Sequence, residues 1–180
     1  MEAVSRKTIR RLLITLILTG AASGCGDDKP YHGGVYIGAN LPPQAGNVQF
    51  SPTTFSKGEG GGAAVITGFV DFCDLDGDVV TLRTTTQDPN TKRTNLVTDH
   101  DVRGLARPLT GSAAFCTLVQ DLPGAAKDAV VGGGASFVGT LPFSLLISTT
   151  LTGDRQFLIV VRDSAGQTSN VVIGRFSVPQ

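Results

Sequence analysis

The chain has 180 residues, with 15 Lys and Arg against 15 Asp and Glu, and only three cysteines. Setting aside residues 1–24 leaves 11 of the 15 basic residues and 14 of the 15 acidic ones, a net charge near −3. That balance offers no basic patch for nucleic acid and no cationic cluster for anionic lipid. The length suits one domain plus a leader. Glu59 is the only Glu after residue 24, and Gly is abundant at 23 residues, which argues against helix.

The first segment carries Arg6, Lys7, Arg10 and Arg11, then the apolar run Leu12 to Leu18, then small residues from Thr19 to Gly24. This order is that of a secretory signal peptide, and its apolar part is shorter than the ~20 residues that span a bilayer. Its end, Ala22-Ser23-Gly24-Cys25, resembles the lipobox of bacterial lipoproteins. The resemblance implies cleavage before Cys25 and a lipid thioether on its sulfur, so that the membrane becomes a partner through this anchor. The alternative is cleavage at the same small residues that leaves Cys25 free. Gly26 follows Cys25, so the Asp found there in many inner-membrane lipoproteins is absent, and the resemblance implies outer-membrane sorting in a Gram-negative host.

Residues 25–46 are rich in Gly, Pro and Asp and read as a flexible tether with about 25 Å of reach. From Asn47 onward the pattern is that of short strands separated by turns. Val48 and Phe50 alternate with polar residues before Ser51-Pro52, and Lys57 to Gly62 reads as a glycine turn. Ala64 to Cys73 (AVITGFVDFC) is a strong strand, Asp74 to Asp78 an acidic turn, and Val79 to Thr85 the next strand. Thr86 to Pro108 reads as a long polar loop with a short edge strand at Asn95 to Thr98, a place where function concentrates. Further strands are expected at Ala113 to Val119, at Ser136 to Phe143 with a break at Pro142, at Ser144 to Leu151, at Gln156 to Arg162 and at Asn170 to Val178. Gly124 to Val131 alone hints at helix. The expected fold is an all-β, antiparallel sandwich of about seven to eight strands over residues 47–180.

Two segments carry a further resemblance. Arg162-Asp163-Ser164-Ala165-Gly166-Gln167-Thr168-Ser169-Asn170, between strand-like runs, resembles the closing hairpin of bacterial immunoglobulin-like domains. Phe69 to Asp78 (FVDFCDLDGD) resembles the Asp-Gly-Asp strand junction of PKD-like and cadherin-like domains. Together they imply a sandwich of the immunoglobulin-like kind. The buried Trp of antibody domains is missing, since the chain has no Trp.

Three sets of residues could carry chemistry. Cys73 and Cys116 form an even pair once Cys25 is assigned to lipid. In an exported protein they are expected to form a disulfide, closing a loop of about 44 residues worth about 4 kcal/mol in the chain-entropy model. The alternative is two buried thiols. Asp71, Asp74, Asp76 and Asp78 place four carboxylates within eight residues. They read either as an Asp-Gly turn capping local backbone N–H groups or as a calcium site. Asp163 or Asp154 would add ligands only if their loops share that end of the sandwich. Asp99-His100-Asp101 could suggest a metal site or an oriented base, but neighbours on a strand point to opposite faces. Gly60–Gly62 and Gly132–Gly134 lack the Lys-Ser/Thr and the strand–turn–helix frame of a phosphate loop. The sequence therefore points to a non-enzymatic, lipid-anchored envelope module that binds an envelope protein or glycan, with no cofactor. A calcium-stabilised binding module is the alternative, and a hydrolase using Asp residues or His100 is the least supported reading.

Overall fold

The computed structural model describes residues 31–32, 35–36, 41–120, 122, 128, 130 and 134–180. The signal-like segment, Cys25 and Gly26 lie outside the described residues, as does most of Gly124 to Val131. Strands β1 (Tyr31–His32) and β2 (Val35–Tyr36) pair as a small antiparallel ladder. The main body has eight strands: β3 (Gln44–Ser51), β4 (Ala63–Cys73), β5 (Val79–Gln87), β6 (Thr94–Asp101), β7 (Arg107–Pro108), β8 (Val138–Ser148), β9 (Gly153–Asp163) and β10 (Val172–Val178). They form two four-stranded antiparallel sheets, ordered β3-β4-β8-β7 and β10-β9-β5-β6. The chain is an all-β sandwich.

The alternation expected of half-buried strands places the core. Ile66, Val70 and Phe72 of β4 and Leu141, Phe143, Leu145 and Ile147 of β8 point inward from one sheet. Leu82 of β5, Phe157, Ile159 and Val161 of β9, and Phe176 and Val178 of β10 answer from the other. Phe157 is the hub. Its ring lies 4.9 Å from Phe50 in an edge-to-face contact, 5.6 Å from Phe143 and 6.4 Å from Phe176. Room for it comes from Gly174, where an added Cβ would sit 2.1 Å from the ring.

A second, smaller cluster joins Cys73, Leu75, Cys116, Val119, Val130, Phe137 and Val138. Cys73 and Cys116 are bonded, with their Cα atoms 5.8 Å apart. The pairing matches the expectation, but Cys116 does not lie on a strand. It follows a 3₁₀ turn, Ala113–Phe115, and precedes a single helical turn, Thr117–Gln120. Gln44 explains that local shape: its side-chain carbonyl accepts the Thr117 N–H at 2.7 Å, which ends any extended run there.

Three other expectations change. The domain's first strand begins at Gln44 rather than Asn47. Thr86 to Pro108 is mostly a hairpin, because β6 spans eight residues against β5. Asp88 closes its turn by accepting the N–H groups of Asn90 and Thr91, each at 2.9 Å. Pro142 does not break β8, which pairs with β4 from Val138 to Ser148 without a bulge.

Gly174→Ala is expected to destabilise the domain by about 1–3 kcal/mol, because the methyl must displace the Phe157 ring. Gly111→Ala meets open space and should leave the melting temperature unchanged. Thermal unfolding followed by circular dichroism compares the two.

Candidate functional site

The loop between β4 and β5 carries the densest chemistry. It begins where the disulfide ends β4, at Cys73, and it is short enough that Asp74, Asp76 and Asp78 crowd together. One oxygen of each carboxylate lies within 4.8 Å of the others, and they are the one such group among the described residues. Asp74 is fully buried. Its N–H donates to the Phe137 carbonyl at 2.7 Å, and its own carbonyl accepts from Gly77 at 3.3 Å. Its carboxylate accepts the backbone N–H of Asp78 at 2.9 Å and, more weakly, that of Asp76 at 3.3 Å. Asp74 thus caps the turn, as the Asp-Gly reading expects. Gly77 is required here by its φ of +71° and by the Phe137 ring, which an added Cβ would meet at 3.0 Å.

The closing hairpin comes to the same end of the sandwich. Val79 is the register partner of Asp163. The Ser164 N–H donates to the Asp78 carbonyl at 3.1 Å, and its hydroxyl donates to Asp78 Oδ2. Asp163 is buried and accepts the Gln167 N–H at 2.7 Å on Oδ1. Asp163 Oδ2 and Asp78 Oδ1 are buried with no hydrogen-bond partner. Asp154 pairs with Ser177 at the far end of β9 and is remote from this loop.

Burial pushes the Asp74 carboxyl up to about 7, against the pull of the N–H groups of Asp78 and Asp76. The neighbouring Asp78 carboxylate adds to the rise.

Asp71 does not join this group. It stands on β4 opposite Gly46 and Thr140, on the face away from Phe72, and its Oδ2 accepts from Asn47 Nδ2 at 3.1 Å. Burial raises its carboxyl too. Asp71 lines a groove of about 660 Å³ on the outer face of the β3-β4-β8-β7 sheet, together with Gln49, Phe69, Arg107 and Thr140. There the Arg107 guanidinium lies 5.4 Å from the centre of the half-exposed Phe69 ring. The sequence reading missed this groove. Its signal was the outward position of Phe69 in an otherwise alternating strand.

Asp99, His100 and Asp101 are dispersed. Asp99 makes a two-pronged ion pair with Arg83 at 2.7 and 2.8 Å. Its carboxyl is lowered by that pairing. His100 Nε2 lies 3.3 Å from the Thr84 hydroxyl, and Asp101 accepts the Arg103 N–H at 3.1 Å. Among the described residues no helix is long and apolar enough to cross a membrane.

The raised value at Asp74 has a signed consequence. An unfolded Asp titrates near 4, so between about pH 4 and pH 7 the folded chain holds a proton that the unfolded chain has lost. The stability present below pH 4 is therefore lost as pH rises through about 7. Melting temperatures taken across pH 4–8 should fall with pH and fall less steeply in Asp74→Asn, whose amide loses one cap but carries no charge.

Compared with known proteins, the chain matches no protein-family model and no curated sequence.

Proposed function

We propose that this chain is a non-enzymatic, lipid-anchored module of a bacterial cell envelope, exported by its N-terminal segment and held at the membrane through Cys25. The observation that carries this reading is the Cys73–Cys116 bond. It accounts for two of the three cysteines and leaves Cys25 as the odd one, directly behind the signal-like segment. An odd cysteine in an exported chain needs a fate, and acylation supplies one. An immunoglobulin-like class for the sandwich is supported by its strand orders. Across each sheet, β3, β4, β8 and β7 take the places of A, B, E and D, while β10, β9 and β5 take those of G, F and C. The disulfide departs from the antibody pattern, since Cys116 lies outside both sheets.

The role that fits is binding or scaffolding of an envelope protein or glycan, with the outer membrane as the expected location. The groove around Phe69 and Arg107 supports a binding role, because it sets an exposed aromatic ring among polar side chains.

A second reading, a calcium-stabilised module, is favoured by the partnerless Asp78 Oδ1 beside two further carboxylates. Two oxygens on one calcium ion are at most about 5 Å apart, given bonds of 2.3–2.6 Å, and the 4.8 Å cluster satisfies that limit. On this reading Asp74, Asp76 and Asp78 are the ligands, and Asp71 is not.

Cys25→Ser should move the protein from the membrane fraction to the soluble fraction and abolish labelling by radioactive palmitate, with the domain's melting curve unchanged. Retention of the variant in membranes removes the anchor. For the second reading, excess calcium should raise the melting temperature over chelator by several degrees, and Asp78→Asn should cancel the rise. Coincident curves with and without calcium leave the cluster as a capped turn.

A further inference from the structure

Four strands form the edges of the two sheets, and three of them are protected. On β3, Ala45 exchanges two hydrogen bonds with the Asn170 side chain, at 2.9 and 2.8 Å, and the strand bulges at Asn47. On β10, Ser177 donates to Thr53 and accepts from Phe55. On β6, Asp99, paired with Arg83, and Asp101 place charged side chains on the second half of the strand, beyond Leu96 and Val97. The fourth edge is different. β7 is only two residues long and pairs with β8 at Thr140 and Gly139 alone. Beyond it, among the described residues, β8 has β4 on one side and no strand on the other.

Pro142 reveals which backbone groups face that open side. In an antiparallel ladder each residue turns its N–H and C=O toward the same neighbour, alternately left and right. Proline has no N–H, so within a strand it is tolerated where its nitrogen faces away from the ladder. Pro142 sits opposite Phe69 in the full β4–β8 register, so residues of its parity face away from β4. One hydrogen bond agrees with this phase: Thr149, of the other parity, donates to Gly62 on the β4 side at 3.0 Å. Ser144, Leu146 and Ser148 therefore aim their N–H and C=O groups at the open edge. Their side chains are exposed as well.

From Pro142 to Ser148 (PFSLLIS) the edge carries no charged residue. Leu146 is 55% exposed, and its register partner on β4, Val65, is 48% exposed. An edge that is extended, uncharged and flanked by apolar side chains is a template for strand addition. Self-pairing sets each residue against its own sequence, so it tolerates few charges. β6 carries Asp99 and Asp101, whereas β8 carries no charge from Pro142 to Ser148. We infer that β8 is a homodimer interface, in which a second copy of the chain pairs antiparallel along Ser144 to Ser148. With the two-fold axis at Leu146, that residue faces its own copy and Ser144 faces Ser148. This register forms about six backbone hydrogen bonds without calling on Pro142, and it keeps clear of β7. Leu146 and Val65 from both copies then cover one another on the outer face.

The inference does not depend on lipid attachment, and the test is run on the exported chain carrying Cys25→Ser, so that clustering by lipid is excluded. Sedimentation equilibrium should show a monomer–dimer equilibrium. Leu146→Lys sets two ammonium groups opposite each other on the axis and should weaken dimerisation by at least about tenfold. Ser144→Pro removes an edge N–H at a position equivalent to Pro142 and should have the same effect. Leu146→Lys should leave the monomer's melting curve unchanged, since its side chain lies outside the core. Leu146→Cys should cross-link into a covalent dimer on oxidation, the axial Cα atoms being about 5.5 Å apart. A parent chain still monomeric at about 0.2 mM overturns the inference. So does a dimer that both Leu146→Lys and Ser144→Pro leave intact.

Discussion

The sandwich depends on how Phe157 is seated. Its ring touches Phe50 and Phe143 from the opposite sheet and Phe176 from its own, and so it welds the two layers. Burying such a ring contributes about 1.5–3 kcal/mol, and each well-oriented aromatic pair adds about 0.5–1.5 kcal/mol. The contact is possible because the neighbouring strand offers Gly174 where any side chain would collide. It also sets register. A slip of one residue on β9 would turn Gln156 and Arg162 toward the core and Phe157 toward water. Gly68 does the same for the other sheet, since an added Cβ would sit 2.7 Å from the Phe143 ring and 2.3 Å from the Gln49 carbonyl.

That central core does not reach the end of the sandwich where the acidic loop lies. The disulfide cluster fills it. Cys73 closes β4 against Cys116, and Phe137 covers the loop from the start of β8. The chain enters the domain on the same cluster, through the partly buried Leu41. The acidic loop therefore lies at the end of the sandwich where Leu41 packs. The groove around Phe69 and the open edge of β8 belong to the side of the β3-β4-β8-β7 sheet.

The two carboxyl groups raised by burial illustrate how a fold differentiates identical side chains. Asp71 and Asp74 are three residues apart on one strand and its exit. Asp71 is met by the Asn47 amide across the sheet. Asp74 is taken under Phe137 and spends its oxygens on the N–H groups of Asp76 and Asp78. The capping lowers the cost of burying the charge but does not cancel it, because desolvation is the largest influence on both groups.

Much of the fold was legible in the sequence by itself. β-branched and aromatic runs bounded by turn residues marked β4, β5, β9 and β10, cysteine parity paired Cys73 with Cys116, and the Asp-rich turn was visible from its spacing. These are local properties, set by side-chain type along a few residues. Tertiary structure decided the rest. Only Asn95 to Thr98 of β6 was legible, because an edge strand exposed on most of its length carries polar residues like a loop. Pro142 read as a break because sequence does not say which side of a strand has a neighbour. Cys116 read as a strand because the hydrogen bond that curls it comes from Gln44, 73 positions away from Thr117 in the chain. Strand alternation already set Asp71 apart, but Asp74, Asp76 and Asp78 looked equivalent until the burial of Asp74 separated it, since burial depends on what the distant chain lays over each one.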